Sequence, residues 1–124
     1  MLSFVRLYTG DDNQSHFEDM EPLFIPFTDT EGAHGQGTSL ESAHGVTFRI
    51  GPPGYELRWH NAPRRQYVIT LAGQSEIEIS DGTVRKFGAG DILLAEDLVG
   101  EGHITRVISD EPRHYLVIQL DCHS

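Results

Sequence analysis

Two histidines and a glutamine are the residues of this chain whose types and spacing best fit a chemical site. His60 ends one apolar run, Gln66 begins the next, and His103 begins a later one. Imidazole is a common ligand of divalent metals, and histidines on different strands of a barrel can converge on one ion. The pattern predicts a sparse site for zinc, iron, nickel or manganese, with His60, His103 and the weaker amide donor Gln66 as ligands. The alternative is a pair of hydrogen-bonded histidines without an ion.

The elements that must position these residues are short β-strands. From Gly45 onward, runs rich in Val, Ile, Leu, Tyr and Thr alternate with Gly, Pro and Asp, which is typical of consecutive antiparallel strands. Eight such runs with short connections predict an all-β jelly roll or small barrel. Asp81-Gly82 predicts a type I′ hairpin turn, which requires positive φ at both residues. The predicted strands are 46–50, 55–60, 66–71, 75–79, 83–87, 91–95, 103–108 and 114–120.

The first part of the chain has a different character. Residues 1–44 are predicted to add N-terminal edge strands and an acidic loop to the same domain, whose barrel spans residues 45–121. Residues 4–8 are a candidate edge strand and residues 23–27 a second one, whereas residues 28–42 are predicted to form a loop. The two apolar runs are expected to cover a sheet edge or face, on their own subunit or on a partner.

The order of residues from Gly54 to Gly73 resembles the first motif of the cupin superfamily. In that motif a glycine precedes His-x-His, a glutamate and a second glycine. Gly54, His60 and Gly73 match it, whereas Ala62 replaces the second histidine and Gln66 the glutamate. The residues from Gly90 to His103 resemble the second cupin motif, with Gly90 as its glycine and His103 as its histidine. The resemblance implies a cupin-type double-stranded β-helix with a central pocket, and it does not imply a reaction.

Side-chain alternation along these strands predicts which residues face that pocket. If His60 points inward, Arg58 and Glu56 follow, while Tyr55, Leu57 and Trp59 face outward. The same rule places Gln66, Val68, Thr70, Thr105 and Val107 inside. Because the guanidinium group suits carboxylates, we predict a small carboxylate ligand bound by Arg58, Thr70 and Thr105. In the alternative, the arginines of this region form surface ion pairs.

The net charge excludes some partners. Nine basic and nineteen acidic residues give a charge of -10, which is the wrong sign for binding nucleic acid or an anionic membrane surface. The acidity is concentrated in residues 1–48, which hold eight acids and one base. No run approaches the roughly 18 apolar residues of a membrane span, and the single cysteine, Cys122, cannot form an intramolecular disulfide. We therefore expect a cytoplasmic protein, and a homodimer that covers the outward apolar residues.

Three functions remain open on the sequence alone. A metal-dependent enzyme, such as an oxygenase, isomerase or lyase, would use the histidines. A binding module would keep the pocket without catalysis. An interaction scaffold would have lost the metal site, as the substitutions at Ala62 and Gln66 suggest. The acidic residues Glu96, Asp97 and Glu101 are expected to cap a loop and face water, or else to supply a general base or the missing carboxylate ligand. The remaining histidines are interpreted as solvated or capping residues; they are His16, His34, His44, His114 and His123.

Overall fold

The computed structural model describes residues 2–121, so Cys122 and His123 lie outside the described residues. Within this range the regular structure consists of strands, and no helix of the length and apolar character needed to cross a membrane is found. The strands are β1 (Phe4–Thr9), β2 (Ser15–Met20), β3 (Ile25–Thr28), β4 (His34–Gly37), β5 (Ala43–Gly51), β6 (Glu56–His60), β7 (Gln66–Ala72), β8 (Ser75–Glu78), β9 (Val84–Phe87), β10 (Ile92–Glu96), β11 (His103–Val107) and β12 (Arg113–Leu120).

Ten of the strands form two sheets. The larger has the order β2-β1-β10-β7-β12-β5, and the smaller has the order β6-β11-β8-β9. All pairings are antiparallel except that of β1 with β10. The eight strands predicted after Gly45 are all present, with ends that differ by a few residues. The prediction of an all-β jelly roll is therefore confirmed.

The turn between β8 and β9 corrects one detail of that prediction. Gly82 has a φ of 89°, but Asp81 is not in the left-handed region, as type I′ would require. The amide of Gly82 instead donates to the carbonyl of Ile79, and the amide of Ile79 donates to the carbonyl of Thr83. This is a longer loop in which only the glycine needs positive φ, so the hairpin is confirmed and the turn type is wrong.

The N-terminal segment is more integrated into the barrel than predicted. β1 is not an edge strand, because it lies between β2 and β10 and buries Leu7 completely. β2 was not predicted, since its sequence lacks a β-branched alternating pattern. The loop predicted for residues 28–42 contains β4, which pairs with β3 in an exposed hairpin.

The main core lies between the two sheets. Leu7 of β1 packs in one cluster with side chains from both sheets, namely Ala62, Ile77, Ile79, Phe87, Leu93 and Ala95. Apolar burial of this kind is the largest favourable contribution to folding. The candidate site borders this core, because Ala62, Ile77, Leu93 and Ala95 belong to both.

Candidate functional site

A cavity of about 250 Å³ lies between the two sheets, next to the core. The larger sheet contributes residues of β5, β7, β10 and β12 to its wall, and the smaller sheet contributes residues of β6, β8 and β11. Four of the six predicted site residues line it, namely His60, Gln66, His103 and Thr105. A small-molecule site inside a barrel of this type requires such a space.

The two histidines are brought together by direct strand pairing. His60 on β6 is the register partner of His103 on β11, and their ring centroids lie 4.2 Å apart at an interplanar angle of 56°. His103 is buried and His60 is half-buried. The loop before His103 can approach β6 because Gly102 has a φ of 77°. A Cβ there would lie 2.1 Å from the carbonyl oxygen of His60.

A β-bulge changes which side chains of β6 face the cavity. His103 pairs with His60 and Thr105 pairs with Leu57, so three steps along β6 match two along β11. The extra residue reverses the alternation beyond it. Tyr55 and Leu57 therefore line the cavity, in contrast to the prediction.

The predicted inward direction of Arg58 is wrong for the same reason. Its side chain is 67% exposed, pairs with Glu56 and does not line the cavity. Thr70 is buried as expected, but it is not part of the cavity wall. Of the three predicted substrate contacts, only Thr105 lines the cavity.

Asp97 is a buried carboxylate that fixes the orientation of His103. It is completely buried, and its Oδ2 accepts hydrogen bonds from Nδ1 of His103 at 2.6 Å and from Oγ of Ser15 at 2.7 Å. Its Oδ1 also accepts from the amide of Ala62 at 3.4 Å. The expectation that Asp97 faces water is therefore wrong. The same expectation fails for Glu96, because the Glu96 carboxylate pairs with Arg6 and Arg65.

Both histidines use Nδ1 for structural hydrogen bonds. Nδ1 of His60 lies 3.0 Å from the carbonyl oxygen of Arg58, which only accepts, so Nδ1 carries the proton. Burial and the neighbouring His103 lower the pKa of His60, which favours its neutral form. A neutral imidazole with its proton on Nδ1 has its lone pair on Nε2, where it can bind a metal or accept a proton.

Two arginines that sequence reasoning missed also line the cavity. Arg113 begins β12 and is only 8% exposed, whereas Arg49 lies opposite Tyr115 on the neighbouring β5 and is exposed. The Nε atom of Arg113 has no hydrogen-bond partner among residues 2–121, and its guanidinium lies 3.9 Å from the ring centroid of Tyr115. Alternation along β12 was the available signal, since Arg113, Tyr115 and Val117 all line the cavity.

The charge of the cavity is opposite to that of the whole chain. Its described lining contains Arg49 and Arg113 but no aspartate or glutamate, although the chain has nineteen acidic residues. Burial lowers the pKa of Arg113, because the charged guanidinium is separated from water without a compensating carboxylate. A positive, partly apolar cavity of this kind favours a small anion.

The donors available to a metal are two imidazole nitrogens and one amide oxygen. Within residues 2–121, no group of three or more His, Cys, Asp or Glu residues is arranged to hold an ion. Gln66 is buried in the cavity wall, and its side-chain carbonyl oxygen is the one further neutral donor of the predicted ligand set. This donor set does not fit a closed four-ligand site, because it has too few donors to surround an ion.

Comparison with solved structures identifies the fold. A cupin 2 conserved barrel domain protein from Salinispora arenicola has a TM-score of 0.53 at 18% identity, over 94% of this chain and 82% of that chain. The Cnp3 cupin domain of Schizosaccharomyces pombe has a TM-score of 0.51 at 13% identity, over 97% and 83%. This chain has the cupin fold. No protein-family model matches the chain, and neither does any curated protein sequence.

Within this cupin barrel, both substituted motif positions face the cavity. Ala62 and Gln66 are buried and line it together with His60 and His103. Ala62 provides no donor atom from its side chain, and its amide is turned toward Asp97. The substitutions therefore change the chemistry of the cavity itself.

Proposed function

We propose that this cupin binds a small organic anion, a carboxylate, in the cavity between its sheets. The observation that carries the proposal is the burial of Arg113 in a cavity without an acidic residue. A buried cation without a partner is costly, and a bound carboxylate would offset that cost with charged hydrogen bonds. By contrast, Arg58, Arg85 and Arg106 on the barrel surface each pair with a glutamate or an aspartate.

The rest of the cavity suits the carbon skeleton of such a ligand. About half of its lining residues are aliphatic, and the lining residues Arg49 and Tyr55 are exposed. Thr105 and Gln66 add neutral polar groups that can bind a hydroxyl or carbonyl of the ligand. The volume of about 250 Å³ restricts the ligand to a few carbon atoms or one small ring.

Calorimetric titration with acetate, lactate, succinate and benzoate tests the proposal. We expect at least one of them to bind, the matching neutral amides not to bind, and Arg49→Gln to weaken binding about tenfold or more through loss of a charged hydrogen bond. Arg58→Gln is the matched control, because Arg58 is exposed and does not line the cavity. Equal affinity of the two variants, or no binding of any carboxylate, would contradict the proposal.

The free Nε2 atoms favour a second candidate, a divalent ion of zinc, iron, nickel or manganese held by His60, His103 and Gln66. When bound, such an ion acts as a Lewis acid. Asp97 would orient His103 as an outer-shell partner, an arrangement common at metal centres. Since two arginines and no carboxylate line the same cavity, we infer that a metal would bind weakly until an anionic ligand is present.

Metal titration in the presence and absence of a bound carboxylate is the corresponding measurement. We expect the carboxylate to increase the affinity for zinc or nickel, and His60→Ala and His103→Ala each to abolish binding. His34→Ala serves as control, because His34 is exposed on β4. Negligible metal in every variant, with and without the carboxylate, would leave anion binding as the function and rule out the metal site.

A further inference from the structure

The outer face of the six-stranded sheet is a continuous apolar surface. Strand register places Ile69 of β7 beside Leu116 of β12, and Leu116 beside Phe48 of β5. A parallel row is formed by Tyr67, Ile118 and Val46. On β5 the outward side chains form a bare ridge, whose members Val46, Phe48 and Ile50 are 61%, 76% and 66% exposed. Apolar patches of this extent on a soluble protein mark interaction sites.

The opposite half of the same face carries a groove. Its floor is the outer surface of β1, β7 and β10, and its wall is the segment between β2 and β5, residues 21–42, here called the arm. The groove has a volume of about 820 Å³ and is lined mainly by apolar residues of both parts, including Phe4, Ile69, Ile92, Leu23, Ile25 and Leu40. Leu23 and Leu40 are 81% and 101% exposed.

The arm is hydrogen-bonded to the barrel near its C-terminal end, whereas its hairpin is exposed. Glu41 accepts hydrogen bonds from Arg65 at 2.6 Å and from Tyr67 at 3.1 Å, which ties the end of the arm to the barrel. The hairpin of β3 and β4 pairs only with itself among the described strands, and nearly all its residues are exposed. Because an isolated two-stranded hairpin is marginally stable in water, the arm needs a further surface against which to pack.

We propose that a second copy of this chain covers this face in a two-fold symmetric dimer, with the β5 ridge of each copy in the arm-lined groove of the other. A ridge and a groove on one face are what such self-complementary contacts require, since both are filled at once. β5 is also a nine-residue edge strand. It lacks the proline and lysine residues that protect edge strands against pairing with another chain.

The available apolar area agrees with a second copy as the occupant. Eight large apolar side chains on the ridge, the arm and the adjacent end of β7 are at least 44% exposed, and full burial of such a side chain removes roughly 60–120 Å². Because these side chains are on average about two-thirds exposed, together they supply roughly 300–600 Å² per copy, which is comparable to the apolar part of a standard interface of about 800 Å² per partner. The eight are Leu23, Ile25, Phe27, Leu40, Val46, Phe48, Ile50 and Leu71.

Light scattering coupled to gel filtration and sedimentation equilibrium test the dimer. We expect the wild type to be a dimer at micromolar concentration, and Phe48→Glu on the ridge and Leu40→Glu on the arm each to weaken dimerisation 100-fold or more. Val84→Glu is the control, because Val84 is an exposed apolar residue on β9 of the other sheet. Circular dichroism establishes whether each variant is folded. If one of the two glutamate variants does not fold, the other still tests the proposal, because the ridge and the arm are changed separately.

Cysteine pairing distinguishes exchange between copies from closure of the arm on its own β5. In a Cys122→Ser background, a mixture of Leu40→Cys and Phe48→Cys chains is expected to form an intermolecular disulfide. A wild type that is monomeric would overturn the proposal. A dimer that survives both glutamate substitutions would also overturn it. So would a chain carrying both Leu40→Cys and Phe48→Cys that forms the disulfide only within itself.

Discussion

Replacement of Arg113 by methionine is expected to leave the free energy of unfolding unchanged or to raise it by about 1 kcal/mol. Most substitutions of buried residues destabilise a protein. Arg113 differs because its Nε atom has no partner among residues 2–121 and no acid lines its cavity. Methionine keeps most of the side-chain length and removes the desolvated charge, while the contact with Tyr115 loses its cationic component.

The same variant is expected to lose carboxylate binding by about 100-fold, because the buried guanidinium is the best-placed cation in the cavity. Urea unfolding and calorimetry measure the two effects separately. Arg106→Met is the matched control: Arg106 pairs with Glu56, Glu76 and Glu78, so its replacement is expected to lower stability without affecting the ligand. A loss of more than 1 kcal/mol in Arg113→Met, or unchanged binding, would contradict a ligand-binding role.

The barrel strands were predictable from the sequence because their signals are local. Runs of β-branched and aromatic residues bounded by glycine and proline identify β5 to β12. The sequence of β2, Ser-His-Phe-Glu-Asp-Met, carries no such signal. It forms a strand because it pairs with β1. β1 itself is positioned by its parallel pairing with β10, which lies far along the chain.

The candidate site was predictable only in part, for two physical reasons. Motif spacing identified His60, Gln66 and His103, which do share a cavity. Alternation failed beyond His60, because a bulge in β6 depends on its pairing with β11 and has no signature in β6 alone. Arg113 was missed because the last strand was predicted to begin at residue 114, one residue too late.

Asp97 also shows why a residue type alone does not determine burial. In the sequence it belongs to an acidic run, where solvent exposure is the usual outcome. In the structure it is buried, and its carboxylate oxygens accept hydrogen bonds from three separate segments, through Ser15, Ala62 and His103. A carboxylate can be buried when its oxygens are satisfied in this way.

Asp97→Ala is therefore expected to lower the free energy of unfolding by about 3–4 kcal/mol. It leaves Oγ of Ser15 and Nδ1 of His103 without their acceptor, and each hydrogen bond to a charged group contributes about 1.5–3 kcal/mol. Ser15→Ala removes one of these bonds and is expected to cost about 1.5–3 kcal/mol. Glu101→Ala, at an exposed position of the same loop, is the control and is expected to change stability by less than about 0.5 kcal/mol.

Nitrogen chemical shifts of the histidine rings separate the orienting role of Asp97 from its contribution to stability. In the wild type, the hydrogen bond to Asp97 keeps a proton of His103 on Nδ1, so Nε2 is the ring nitrogen that can bind a ligand. In Asp97→Ala this preference is lost, so the two tautomers of His103 are expected to mix, while His60 keeps its Nδ1 proton on the carbonyl of Arg58. An unchanged His103 tautomer, or a stability within 1 kcal/mol of the wild type, would mean that Asp97 does not organise the site.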